Sequence, residues 1–125
     1  MDLTKINDKI IDSMENLLNV TSDFTRLKIL LCLFNEDKCE NNLECERCSS
    51  LNCSVERCVN EIVELVGASQ SLISHQLKIL KQNKIVNARR EGKRVFYSLA
   101  DGHIKLLLKV VYEHVMEDIY DTESL

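Results

Sequence analysis

Asp101, His103, His114 and Glu117 carry the donor atoms of a borderline metal site. Carboxylate oxygen and imidazole nitrogen bind zinc at about 2.0–2.2 Å. Cobalt, nickel and cadmium compete for the same donors by geometry and availability. From Asp101 to about Tyr120 the chain has a helical period. Ile104, Leu108, Val111, Val115 and Ile119 form one apolar stripe, and His103, Leu107, Val110, His114 and Glu117 form a second. His103 and His114 are eleven residues apart, about 16 Å along a helix at ~1.5 Å per residue. One helix therefore cannot close all four ligands around one ion, but two antiparallel copies can. A two-fold axis near Lys109 sets His103 of one chain beside His114 of the other, and Asp101 beside Glu117. The spacing predicts two equivalent sites across an isologous interface. The plainer alternative is four polar residues on a solvated helix face.

A second donor set is sulfur. Cys39, Cys45, Cys48, Cys53 and Cys58 fall within twenty residues, four of them in a stretch at about 37–55 that lacks apolar periodicity and reads as an insertion. Cys45-x-x-Cys48 is a common chelating half-site, since two thiolates that close can share one tetrahedral ion. No second Cys-x-x-Cys accompanies it, so a soft-metal site, a redox role and a loop of unligated thiols all stay open. Cys32 stands among apolar residues and reads as a small core residue.

These donors need a body to hold them, and its most legible part runs from Ser69 to Leu99. Ile73, Leu77 and Leu80 mark the buried face of a helix, with Ser69 as its N-cap. Gln70, Ser71, Ser74, His75 and Lys78 lie on another face. After Asn83 the period changes to two, through Val86 and Ala88, then Val95, Tyr97 and Leu99, with Glu91-Gly92-Lys93 as the turn. Arg89, Arg90, Lys93 and Arg94 cluster at the tip of this hairpin. A polar helix face beside a basic hairpin is what a winged helix-turn-helix presents to a DNA groove and its phosphates.

Charge agrees locally rather than globally. The chain carries −4 in all, yet residues 69–100 hold seven Lys/Arg and one Glu, a balance of +6, which leaves −10 elsewhere. So sharp a segregation makes a basic face on an acidic body.

At 125 residues the chain is expected to form one domain, residues 1–125. Three Gly and no Pro favour long helices joined by short turns. No run of eighteen apolar residues suggests a membrane span, and the N-terminus lacks a signal-peptide core. A cytosolic protein with reduced thiols is expected. Ile6, Ile10, Met14 and Leu17 give the first helix a sticky stripe, suited to its own core or to a second copy. Ser22-Asp23 caps a helix with Phe24, Leu27, Leu31 and Phe34 on one face. From Glu56 another helix begins, with Val59, Ile62, Val63 and Val66 on one face and Gly67 ending it. Gly67-Ala68-Ser69 is then the turn of a helix-turn-helix.

The tract from Glu56 to Leu99, about a third of the chain, resembles the DNA-binding core of the ArsR/SmtB family of metal-sensing repressors. Ser71-Leu72-Ile73-Ser74-His75-Gln76-Leu77 and Arg89-Arg90-Glu91-Gly92-Lys93 carry the resemblance most specifically. Thr25-Arg26-Leu27-Lys28-Ile29-Leu30 also matches the family, with Phe24 where its usual Pro stands. The resemblance implies a homodimer, joined through its first and last helices, that represses an operator in double-stranded DNA and releases it on binding an inducer. The family's Cys-Val-Cys thiolate motif reads Cys58-Val59-Asn60 here, one ligand short. Asp101-x-His103 and His114-x-x-Glu117 match the pattern by which the zinc-sensing branch binds metal between subunits.

The expected protein is thus mainly α with a small β-hairpin, a dimeric winged helix-turn-helix repressor responsive to zinc. The first rival is a thiol-based sensor of soft metals, arsenicals or oxidants using Cys39–Cys58. An enzyme is not expected: there is no His-Glu-x-x-His, nucleophile elbow or phosphate loop, and no βαβ pattern surrounds Cys45-x-x-Cys48.

Overall fold

The computed structural model describes residues 1–34 and 55–123, the last four as backbone only. After a 3₁₀ turn at Leu3–Lys5 come α1 (Asp8–Thr21), α2 (Phe24–Leu33), β1 (Arg57–Cys58) and α3 (Val59–Val66). Then follow α4 (Gln70–Gln82), β2 (Val86–Glu91), β3 (Arg94–Leu99) and α5 (Gly102–Glu123). The expected mainly helical winged helix-turn-helix is the fold observed.

Side chains that can accept a backbone hydrogen bond start most of these helices. Asn7, Asp23, Ser69 and Asp101 accept from the N–H groups of Ile10, Arg26, Leu72 and Ile104 at 3.0–3.2 Å. Each satisfies one of the amides that a first helical turn leaves without a partner. Gly67, at φ +75°, closes α3 in the left-handed region, as expected.

Among the described residues the main core cluster is built around Ile29, Leu30, Leu33, Ile62, Ile73, Leu77, Leu80, Ile85 and Val86, all fully buried. Ile73, Leu77 and Leu80 are the three residues that the helical period of α4 selects. Two other expected faces differ. In α2 the buried face is Ile29, Leu30 and Leu33, not Phe24, Leu27, Leu31 and Phe34. Phe24 is 73% exposed and Leu31 44%, while Leu27 and Phe34 are half-buried at the edge of the cluster. Apolar residues surround α2 on nearly every side, so its period cannot select a face and the neighbouring elements do. In α1, Ile6 precedes the helix, Ile10 and Met14 are exposed, and Leu17 alone of that stripe packs on the core. Cys32 is half-buried, and its carbonyl, at the C-terminal end of α2, accepts from Arg57 Nε at 2.7 Å.

The hairpin is part of a three-stranded antiparallel sheet in the order β1-β3-β2. Arg57 pairs with Tyr97 and Cys58 with Phe96, so the residues expected to open a helix at Glu56 are extended instead. The helix starts at Val59. Cys58 is its N-cap, and its backbone N–H donates to Glu61 Oε1 at 3.3 Å.

The end of α4 carries local strain. Ile85 N–H donates to Leu80 C=O at 3.0 Å across the helix end, and both side chains are fully buried. This is a Schellman closure, whose C′ residue adopts the left-handed region. That residue is Lys84, at φ +60°. A side chain there is disfavoured by about 1 kcal/mol or more, so Lys84→Gly should raise unfolding stability by roughly 1 kcal/mol. Urea denaturation checks this; an unchanged midpoint would mean that Lys84 is unstrained.

Candidate nucleic-acid interface and metal centre

Burial of Ile73, Leu77 and Leu80 fixes the rotation of α4 and leaves Gln70, Ser71, Ser74, His75 and Lys78 exposed along its opposite side. These residues are short or polar, so a groove floor can approach the helix closely. Beside it, β2 and β3 meet in a two-residue turn at Gly92-Lys93, where Gly92 takes φ +61°. Glycine first in such a turn matches the twist of the flanking strands.

The basic residues of the hairpin divide by strand face. Partners across the ladder are Ala88 and Tyr97, then Arg90 and Val95. Arg90 therefore shares its face with the residues that lead into the core, and its Nε donates to the Gly92 carbonyl at 3.3 Å. Lys93 and Arg94 lie exposed at the tip. Arg89 is on the other face, paired with Phe96, and its guanidinium sits 5.1 Å from that ring's centre. It is bonded to Glu56 at 2.8 Å and Glu91 at 2.9 Å. Those carboxylates hold the guanidinium more firmly protonated than usual. Of the four cations expected to meet phosphate, Arg89 is thus already engaged. The pairing with Glu56 depends on β1, which two residues of sequence do not announce.

An open cleft of about 530 Å³ separates the hairpin from α3, lined by Cys58, Glu61, Glu64, Gln70, Arg94 and Tyr97 among others. The Cys58 thiol donates to Glu61 Oε1 at 3.2 Å. Hydrogen bonds from that thiol and from the Cys58 backbone, with the charges of Arg57 and Arg94, hold the Glu61 carboxyl below the usual carboxylate range. Cys58 is therefore a free thiol engaged in capping α3. Burial pushes the Cys32 thiol up, against a smaller opposing effect of Arg57. Cys39, Cys45, Cys48 and Cys53, and with them nearly all of the stretch at 37–55, lie outside the described residues.

On α5 and its capping residue the four N/O donors fall into two pairs. Asp101 caps the helix through Oδ1, while its Oδ2 lies 3.8 Å from His103 Nδ1. Capping thus leaves one carboxylate oxygen beside an exposed imidazole. His114 and Glu117 are exposed further along the same helix. Among the described residues of one chain, no three His, Cys, Asp or Glu side chains gather around a common point. Carboxylate and imidazole are donor types that hold a borderline divalent ion such as zinc. Along the same helix Val110, Val111, Val115 and Ile119 are exposed apolar residues, as are Ile10, Ile11, Met14 and Leu18 on α1. An apolar groove of about 510 Å³ runs between α1, α2 and α5, over Leu18, Leu27, Leu31, Leu107, Val111 and Val115. No helix among the described residues is long and apolar enough to cross a membrane.

Known proteins resemble this arrangement. Residues 50–88 match the family described as bacterial regulatory protein, arsR family. A transcriptional repressor SmtB homolog from Synechocystis is 42% identical over 62 residues, 50% of this chain and 47% of that protein. The chain therefore spans about half the length of that relative. A longer match is the cadmium resistance transcriptional regulatory protein CadC from Listeria innocua, 30% identical over 98 residues, 78% of this chain and 67% of that protein. In structure, the homodimeric winged helix-turn-helix DNA-binding domain from Mycobacterium bovis superposes with a TM-score of 0.68. It is 23% identical and covers 94% of each chain, a likeness of fold. With α4, the hairpin and a relative matched over two thirds of its length, this chain belongs to the arsR family of bacterial regulatory proteins.

Proposed function

We propose that the chain is a zinc-responsive transcriptional repressor that binds a pseudo-palindromic operator as a homodimer and leaves it when metal binds. The observation that carries this reading is the exposed Asp101–His103 pair at 3.8 Å on a helix whose apolar residues are also exposed. Ligands and interface would thus be built on one element. A second copy covering α1 and α5 would bury Ile10, Met14, Val111 and Val115. Each is already about half covered, at 42–52% exposed, so covering the rest contributes about half of the ~1.5–3 kcal/mol of a fully exposed side chain.

The dimer presents two copies of α4. Such pairs read half-sites about 34 Å apart, one turn of DNA. Ser71, Ser74, His75 and Lys78 would meet base edges, and Arg90, Lys93 and Arg94 would meet phosphates. Asp101 and His103 of one chain, with His114 and Glu117 of the other, would hold the ion, which cross-links the two α5 helices. The dimer geometry that suits this cross-link need not suit the spacing of the grooves. Coupling of this kind is typically 1–3 kcal/mol, 5- to 150-fold in affinity.

A duplex selected by the metal-free protein from a random pool provides the operator. Zinc should lower affinity for it by roughly tenfold or more, and a chelator should restore it. Equal affinity with and without zinc would refute metal-driven release.

A further inference from the structure

Resting on that reading, we infer that Asn16 and Asn83 form a clasp through which the dimer helix α1 sets the angle of the reading helix α4. Asn16 Nδ2 donates to Asn83 Oδ1 at 3.1 Å, joining residues 67 apart in sequence. Among the described residues this is the side-chain hydrogen bond that connects the two helices. Asn83 is the C-cap of α4, and its Nδ2 donates to the Ile79 carbonyl at 2.8 Å. The amide orientation follows from this pair: the NH₂ group is committed to the helix end, so the oxygen must face α1.

The location makes the bond consequential. Asn83 lies between the last turn of α4 and left-handed Lys84, after which Ile85 and Val86 enter the core and begin β2. The helices α4 and α1 therefore meet at one side chain, three residues before the hairpin begins. Apart from this bond α1 carries little of the core, since Val20 and Thr21 are its buried residues and Leu17 packs at the edge of the cluster. A helix held so lightly can tilt on the reading unit, and in a dimer each tilt changes the separation of two reading helices. The clasp opposes that tilt, and Asn16 is a positioning residue that touches no DNA.

The test is a double-mutant cycle on affinity for the selected duplex. Asn16→Ala should weaken binding about tenfold in the dimer, two hydrogen bonds each contributing about threefold. Asn83→Asp keeps the accepting oxygen, so Asn16→Ala should weaken that variant equally. Asn83→Ala removes the acceptor, and in that background Asn16→Ala should change affinity by less than about twofold. Sedimentation should show the same dimer throughout. Asn16→Leu, similar in shape, without a donor and with better helix propensity, should lose as much as Asn16→Ala.

Full affinity in either Asn16 variant would overturn the clasp, as would an equal loss in the Asn83→Ala background. Absence of specific wild-type binding would overturn the DNA-binding reading itself, and the clasp with it.

Discussion

A mixed dimer made from one His103→Ala chain and one His114→Ala chain should bind one tight zinc ion, where the wild-type dimer binds two. With ligands drawn from opposite chains, one site of the mixed dimer loses both histidines and the other keeps both. With each site inside one chain, both would lose a ligand and neither would bind tightly. Each substituted homodimer, short one imidazole at both sites, should bind zinc about a hundredfold more weakly or worse, since even residues behind the ligands are worth 10–100-fold. Metal-free operator binding should survive, because His103 and His114 lie on α5 and the reading face on α4. Calorimetric stoichiometry decides the matter. No tight ion in the mixed dimer would refute the bridging geometry.

Replacing Arg90 and Arg94 with Ala should weaken binding to every duplex alike and flatten its dependence on salt. Two phosphate contacts per chain are four per dimer, and each contributes about 0.9 to the logarithmic slope. The slope should fall by roughly 3.6, so a fourfold rise in salt would weaken the variant about a hundredfold less than the wild type. Arg89→Ala should change the slope far less, because Glu56 and Glu91 already hold that guanidinium. Fluorescence anisotropy at several salt concentrations separates Arg89 from the Arg90/Arg94 pair. An unchanged slope in the Arg90/Arg94 variant would mean that the hairpin is not a wing, and an equal effect from Arg89 would mean that its ion pairs open on DNA.

Residues differ in how openly their roles were written in the chain. The reading helix was plain: Ser69 caps it, Ile73, Leu77 and Leu80 share one face, and all three are buried. The hairpin was equally plain, since alternation and Gly92 are local signals. The last helix was legible as a helix from its apolar period. By contrast β1 is two residues long, too short for any period, and exists because Tyr97 and Phe96, some forty residues on, offer it an edge. Arg89 reads as one more cation of the hairpin until β1 brings Glu56, the residue just before it, alongside.

What the sequence determined by itself is therefore what forces within about one turn of chain decide. These are the caps, the period that rotates α4, the turn between β2 and β3, and the gathering of positive charge between Ser69 and Ala100. Tertiary structure decided the contests between distant groups. It chose Ile29, Leu30 and Leu33 as the buried face of an α2 that is apolar on most sides. It drew Arg57 onto the Cys32 carbonyl, held Lys84 left-handed where buried Ile85 closes onto buried Leu80, and brought Asn16 to Asn83. Burial and hydrogen bonding depend on which surfaces meet, and a local pattern specifies only one of the two surfaces.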